Sequence, residues 1–176
     1  DKLNIKDLYI FDSDFKRAIY STTINIYGNE LTGITLVKKT DSAMRVVSMS
    51  ELGMKYFDFE FPDNEPQAPK VHYIMEPLNK EIIFSRISKE FNLLFYVPSI
   101  IQSEVKINEQ DRCEMLIKNN KLVYYFNKSG AIYEICKQRF PFSPKPIISL
   151  TENKQSFPKA INMDNGNVSF DLELID

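Results

Sequence analysis

From Phe57 to Phe61 every second residue is phenylalanine, with Asp58 and Glu60 between, and the run follows directly on a Leu52-Gly53-Met54 turn. The same alternation closes the chain, where Val168, Phe170, Leu172 and Leu174 interleave with Ser169, Asp171 and Glu173 after the turn signal Asp164-Asn165-Gly166. A period of two sends alternate side chains to opposite faces of a strand, so each run buries one face and wets the other. One-sided strands need neighbours and a cover, and that requirement restricts the chain to a sheet with one face against a core.

The remaining segments extend this pattern. Strands are predicted at 15–27, 30–39, 43–49 and 70–75, divided by turn signals at Gly28-Asn29 and Asp41-Ser42 and by an exposed connection at 62–69 that holds three prolines. Further short strands are predicted at 101–107, 112–118, 121–127, 130–137, 146–151, 157–163 and 167–175. Connections of hairpin length imply antiparallel pairing, because parallel strands need long crossovers. The expected fold is mainly β: a curled antiparallel sheet of about 11 strands, an incomplete barrel, in one domain spanning 1–176.

One segment breaks the period. Between Asn79 and Val97, Ile83, Ile87, Phe91 and Leu94 recur at helical spacing, flanked by Phe84 and Phe95. Asn79 is the expected N-cap, Glu81 suits the positive end of the helix dipole, and Pro98 stops the helix. Its apolar stripe is expected to cover the concave face of the sheet. Phe57, Phe59 and Phe61 would then meet Ile83, Ile87, Phe91 and Leu94 across either a cavity for an apolar ligand or a solid core.

Charge and chemistry narrow the function. Lys and Arg number 22 against 24 Asp and Glu, without a block of like charge, which provides no footprint for nucleic acid or an anionic membrane. No apolar run reaches the ~18 residues of a membrane span, so a soluble chain is expected. The chain starts at Asp1 rather than Met, so a preceding segment with any targeting signal is expected. His72 is the only histidine and lies within a strand, without a local nucleophile motif. Asp58 and Glu60 share a strand face and read as its solvent side rather than as a catalytic dyad. No enzyme activity, cofactor or metal site is read from this pattern. Hairpin register puts Cys113 opposite Phe126 and Cys136 opposite Leu122, too far apart for a disulfide, so two free, buried thiols are expected.

Residues 31–61, LTGITLVKKTDSAMRVVSMSELGMKYFDFEF, and 157–175, FPKAINMDNGNVSFDLELI, resemble two segments of the bacterial lipoprotein-localisation proteins of the LolA and LolB type. The shared features are a glycine in the second strand, a polar turn, an Arg-Val-Val third strand, a Leu-Gly turn into the fourth strand, and a closing Pro, strand, turn, strand. The resemblance implies a half-barrel whose apolar concave face receives the acyl chains of lipoproteins or another lipid. It also implies a monomer in the periplasm, anchored to the outer membrane by an N-terminal lipid. In the anchored branch an apolar loop residue aids delivery to the membrane, and Leu52 occupies the matching position. Met54 joins it on physical grounds, as a second apolar side chain on the same tip. The chain departs from the carrier type in showing one clear helix. Two alternatives stand beside this reading: a cell-envelope interaction module with a solid core and no lipid, and a tip whose Leu52 folds back on the core.

Overall fold

The computed structural model describes residues 8–63, 66–97, 103–107, 113–117, 121–127, 129–151 and 157–175, with the backbone alone within 103–107 and 113–117. Five strands come first: β1 (Arg17–Ile26), β2 (Asn29–Lys39), β3 (Ala43–Met49), β4 (Lys55–Pro62) and β5 (Lys70–Ile74). Helix α1 (Glu81–Phe95) follows. Then come β6 (Ser103–Ile107), β7 (Cys113–Ile117), β8 (Leu122–Phe126), β9 (Ile132–Arg139), β10 (Phe142–Thr151), β11 (Ala160–Asp164) and β12 (Val168–Leu174). All twelve strands lie in one antiparallel sheet, ordered β5-β4-β3-β2-β1-β12-β11-β10-β9-β8-β7-β6, and side chains are described for ten of them.

This order is a meander whose first and last strands, β1 and β12, pair with each other. Its break lies between β5 and β6, where α1 intervenes, so the sheet does not close into a barrel. Phe57 of β4 and Phe170 of β12 give the curvature: their strands are four spacings apart, ~19 Å on a flat sheet, yet their ring centroids are 6.3 Å apart. Such an approach requires the sheet to curl around its inner face.

Pairing register fixes which side chains share that face. Tyr20, Thr35, Ser48 and Phe57 are directly paired in succession across β1 to β4, and Thr22 lies on the same side as Tyr20. Within the apolar lining, the hydroxyls of Thr22, Thr35 and Ser48 form a continuous row with oxygens 2.9 and 3.1 Å apart. Linking them removes the penalty of burying unpaired polar groups. Gly33, opposite Thr22, has no room for a side chain, since a Cβ there would lie 2.0 Å from the Met49 carbonyl oxygen and 2.8 Å from Ser50 Cα.

Helix α1 is shorter than the sequence suggests and starts one residue later, with Lys80 as N-cap and no side-chain cap bond. Asn79 instead ends a single 3-10 turn at Glu76–Leu78 and donates its backbone N–H to Glu76 O. Proline at that turn sets its geometry before the α-helix can begin. The β9–β10 pair also differs from expectation, because β10 starts at Phe142 and includes Pro144 and Pro146. Prolines read locally as loop, but this segment pairs with β9 through two register irregularities that accommodate missing N–H donors.

Candidate functional site

All seven side chains expected to line a cavity converge between α1 and the sheet. Phe57, Phe59, Phe61, Ile83, Ile87, Phe91 and Leu94 are buried. The rings interlock: Phe57 meets Phe59 at 4.9 Å and Phe91 at 5.9 Å, and Phe91 meets Phe170 at 5.3 Å. The Phe57–Phe59 pair is tilted and the two contacts of Phe91 are edge-to-face, and such contacts add to the burial of each ring, itself worth roughly 2–3 kcal/mol. The centre of the helix–sheet interface is therefore a packed aromatic core.

Open space lies at the two ends of α1. At its start a cavity of about 480 Å³ is lined by Ile26, Leu31, Met75, Leu78, Ile82 and Ile83, among others, with Lys80 at its wall. That volume falls within the range of small-molecule sites. At the helix end a cavity of about 280 Å³ is more polar, with Asp12, Lys39 and Asp63 beside Phe11, Leu94 and Phe95. Ile83 and Leu94 alone of the seven expected residues reach either space.

The β3–β4 tip turns outward. Ser50 holds it: its N–H donates to Met54 O at 2.9 Å, and its Oγ accepts from Met54 N at 3.1 Å. Gly53 sits at φ 82, a left-handed conformation that favours glycine. Leu52 is 98% exposed and Met54 60%, so Leu52 does not fold back on the core. Because successive hairpins alternate between the two ends of the sheet, the β1–β2 turn, this tip and the start of α1 lie at one end. The larger cavity opens there too.

The charged residues form structural pairs. Asp58, expected on the solvent face, is 1% exposed, and Arg45 donates to it from Nε at 2.9 Å and from Nη2 at 3.0 Å. Lys55 Nζ adds a third bond at 3.1 Å. Burial pushes the Asp58 carboxyl up, but these donors outweigh it and hold the group below the ordinary carboxylate value. Alternation correctly places Asp58 on the outer side of β4; the long Arg45 and Lys55 side chains cover it there. Glu60 Oε2 lies 3.1 Å from His72 Nε2 across the β4–β5 pair, with both side chains 28% exposed. Among the described residues no cluster of three or more metal-ligating side chains occurs.

Cys136 is a buried free thiol, pushed up to about 12 by burial and by the neighbouring Glu134 carboxylate. Cys113 is paired opposite Phe126 as expected, and Cys136 opposite Val123 rather than Leu122. The Cys113 side chain lies outside the described residues.

Two features escape sequence reasoning. Glu90 on α1 is fully buried, and neither carboxylate oxygen accepts a hydrogen bond of ordinary geometry. Burial pushes its carboxyl up to about 7, against the opposing influence of Asn165 and Arg86. Arg86 itself donates to Asn165 O at 3.0 Å, tying the helix to the β11–β12 turn. The second feature is the β9–β10 tip, where Phe140 is 90% and Phe142 70% exposed. Its only sequence signal is two phenylalanines around Pro141 between basic residues.

No known family model matches this chain, and no characterised protein matches it in sequence.

Proposed function

We propose that this chain is a non-enzymatic binder of acyl chains, acting in lipoprotein transport or outer-membrane insertion in the manner of the LolA and LolB type. One observation carries the reading: the apolar cavity of about 480 Å³ opens at the same end of the sheet as the exposed Leu52 and Met54. An acyl chain enters beside Ile82 and lies against Leu31, Met75 and Ile83, while the tip touches the bilayer that supplies or receives it. Lys80 at the cavity wall suits a carboxylate or phosphate at the polar end of such a ligand. The reading places the protein in the periplasm at the outer membrane, held there by an N-terminal lipid, as a monomer.

The test is native mass spectrometry with added palmitate. The parent chain is expected to take up one molecule, and Leu31→Trp, which fills the cavity, to take up none while keeping its near-UV circular dichroism. A parent chain that stays free of palmitate overturns the reading. The alternative is an envelope interaction module without lipid cargo. The interlocked Phe57, Phe91 and Phe170 rings favour it, since they leave no channel through the core for a long chain.

A further inference from the structure

Nine large hydrophobic side chains are exposed among the described residues: Tyr27, Leu52, Met54, Val71, Tyr73, Ile82, Phe140, Phe142 and Ile175. Chain connectivity puts six of them at one end of the sheet. Tyr27 is in the β1–β2 turn, Leu52 and Met54 in the β3–β4 tip, Ile82 at the start of α1, and Phe140 and Phe142 at the β9–β10 tip. The β9–β10 tip is the most prominent of these features. β11 pairs only with Ile148–Thr151 of β10, so residues 142–147 extend past it.

The surroundings of that tip are basic. Register sets Lys145 opposite Lys137 and Phe142 opposite Arg139, and Lys121 accepts the Gln138 N–H at 2.7 Å through its carbonyl. Lys121, Lys137, Arg139 and Lys145 are all exposed, and residues 137–146 contain no Asp or Glu. A net charge of −2 over the chain conceals this local excess: Lys137, Arg139 and Lys145 lie together in one hairpin, and the pairing of β8 with β9 adds Lys121 from the turn before β8.

We propose that the β9–β10 tip docks on an anionic phospholipid bilayer. Phe140 and Phe142 enter the boundary between headgroups and acyl chains, and Lys121, Lys137, Arg139 and Lys145 lie against the lipid phosphates. Aromatic rings at a tip flanked by cations match that boundary chemically, with the rings in its apolar part and the charges in the phosphate layer. Bases of a single-stranded nucleic acid also stack on rings beside cations, but the aliphatic side chains of Leu52 and Ile82, exposed at the same end of the sheet, favour acyl chains over bases. The β3–β4 tip lies six strand spacings away, ~29 Å along the curled sheet and less across it, so one bilayer plane can engage both tips. The inference stands on the β9–β10 residues; it adds a second membrane contact to the proposed function without depending on the cavity.

Flotation of the full chain with vesicles tests it. With phosphatidylglycerol and phosphatidylcholine in equal parts the parent chain is expected to float, and with phosphatidylcholine alone to remain behind. Phe140→Ser with Phe142→Ser, and separately Lys137→Ser with Arg139→Ser, should each weaken binding about tenfold or more. All four positions are exposed, so circular dichroism and palmitate uptake should match the parent. Leu52→Ala, run alongside, separates the two contacts. If it alone abolishes flotation while the β9–β10 variants float like the parent, this inference falls and the Leu52 role stands. Failure of the parent to float on anionic vesicles, or equal flotation on both lipids, also overturns it; the former outcome assigns the tip to a protein partner.

Discussion

Arg45 reaches along the outer face of the sheet from β3 and grips Asp58 of β4 with both carboxylate oxygens engaged, Nε to Oδ1 and Nη2 to Oδ2. Asp58 is buried, whereas the Arg45 side chain is 39% exposed. The two partners therefore do not respond equally to removal of the other, because an exposed guanidinium can return to water and a covered carboxylate cannot. Arg45→Met is expected to destabilise by about 2 kcal/mol, with Lys55 left to neutralise part of the charge, and Asp58→Asn by about 1 kcal/mol. Urea unfolding at neutral pH measures both, and equal losses would refute the asymmetry.

The same pair has an acid limit. Its carboxyl titrates lower in the folded chain than in the unfolded one, near 4. The stability it contributes is present above that unfolded value and is lost as pH falls through the folded one. Arg45→Met should flatten this acid loss, seen as a smaller difference between urea midpoints taken at pH about 5 and about 3.

Glu90 works in the opposite sense. Its carboxyl is raised from 4.5 to about 7 in the folded protein, so the folded state holds the proton more tightly than the unfolded one. Stability should be greatest below the unfolded value and decline as pH rises towards about 7, by on the order of 3 kcal/mol in all. Arg86 and Asp164 are the charged groups around it, with opposite effects. Glu90→Gln should raise the melting temperature at pH about 8 and abolish the slope between about 5 and 7. A variant that retains the parent's slope assigns the pH dependence elsewhere.

Phe91 touches Phe57, Phe61, Phe95 and Phe170 at once. Truncation to Ala removes the ring that joins helix to sheet and should cost about 3–5 kcal/mol. If the core is hollowed without collapse, Phe91→Ala should take up an apolar fluorophore within the core, a position closed in the parent, whose apolar cavity lies at the start of α1. Loss of less than about 1 kcal/mol would show that this ring is not central to the core.

Leu52→Ala should leave the melting temperature unchanged, since the side chain makes almost no contact with the rest of the protein. Lipoprotein transfer to outer-membrane vesicles should fall sharply with that single change. Unchanged transfer would remove Leu52 from the proposed role.

Much of the architecture was legible in local pattern. Alternation marked the faces of β4 and β12, turn residues marked most hairpins, and the 3.6-residue period marked α1 and its buried stripe, because each depends only on residues a few positions apart. The seven side chains expected at the helix–sheet interface do meet there. Whether they enclose space was beyond periodicity, which records the face of a side chain but not the volume of what opposes it. Phe170 packs against both Phe57 and Phe91 from a strand more than a hundred residues beyond Phe57 in sequence, and only the curl of the sheet brings it in. Tertiary structure likewise covered Asp58 with Arg45, enclosed Glu90 beside the β11–β12 turn, and brought Lys121 to the cations that flank Phe140 and Phe142. Such features arise where separate segments share one place, and free energies set by distance and burial across those segments have no counterpart in the spacing of residues along any one of them.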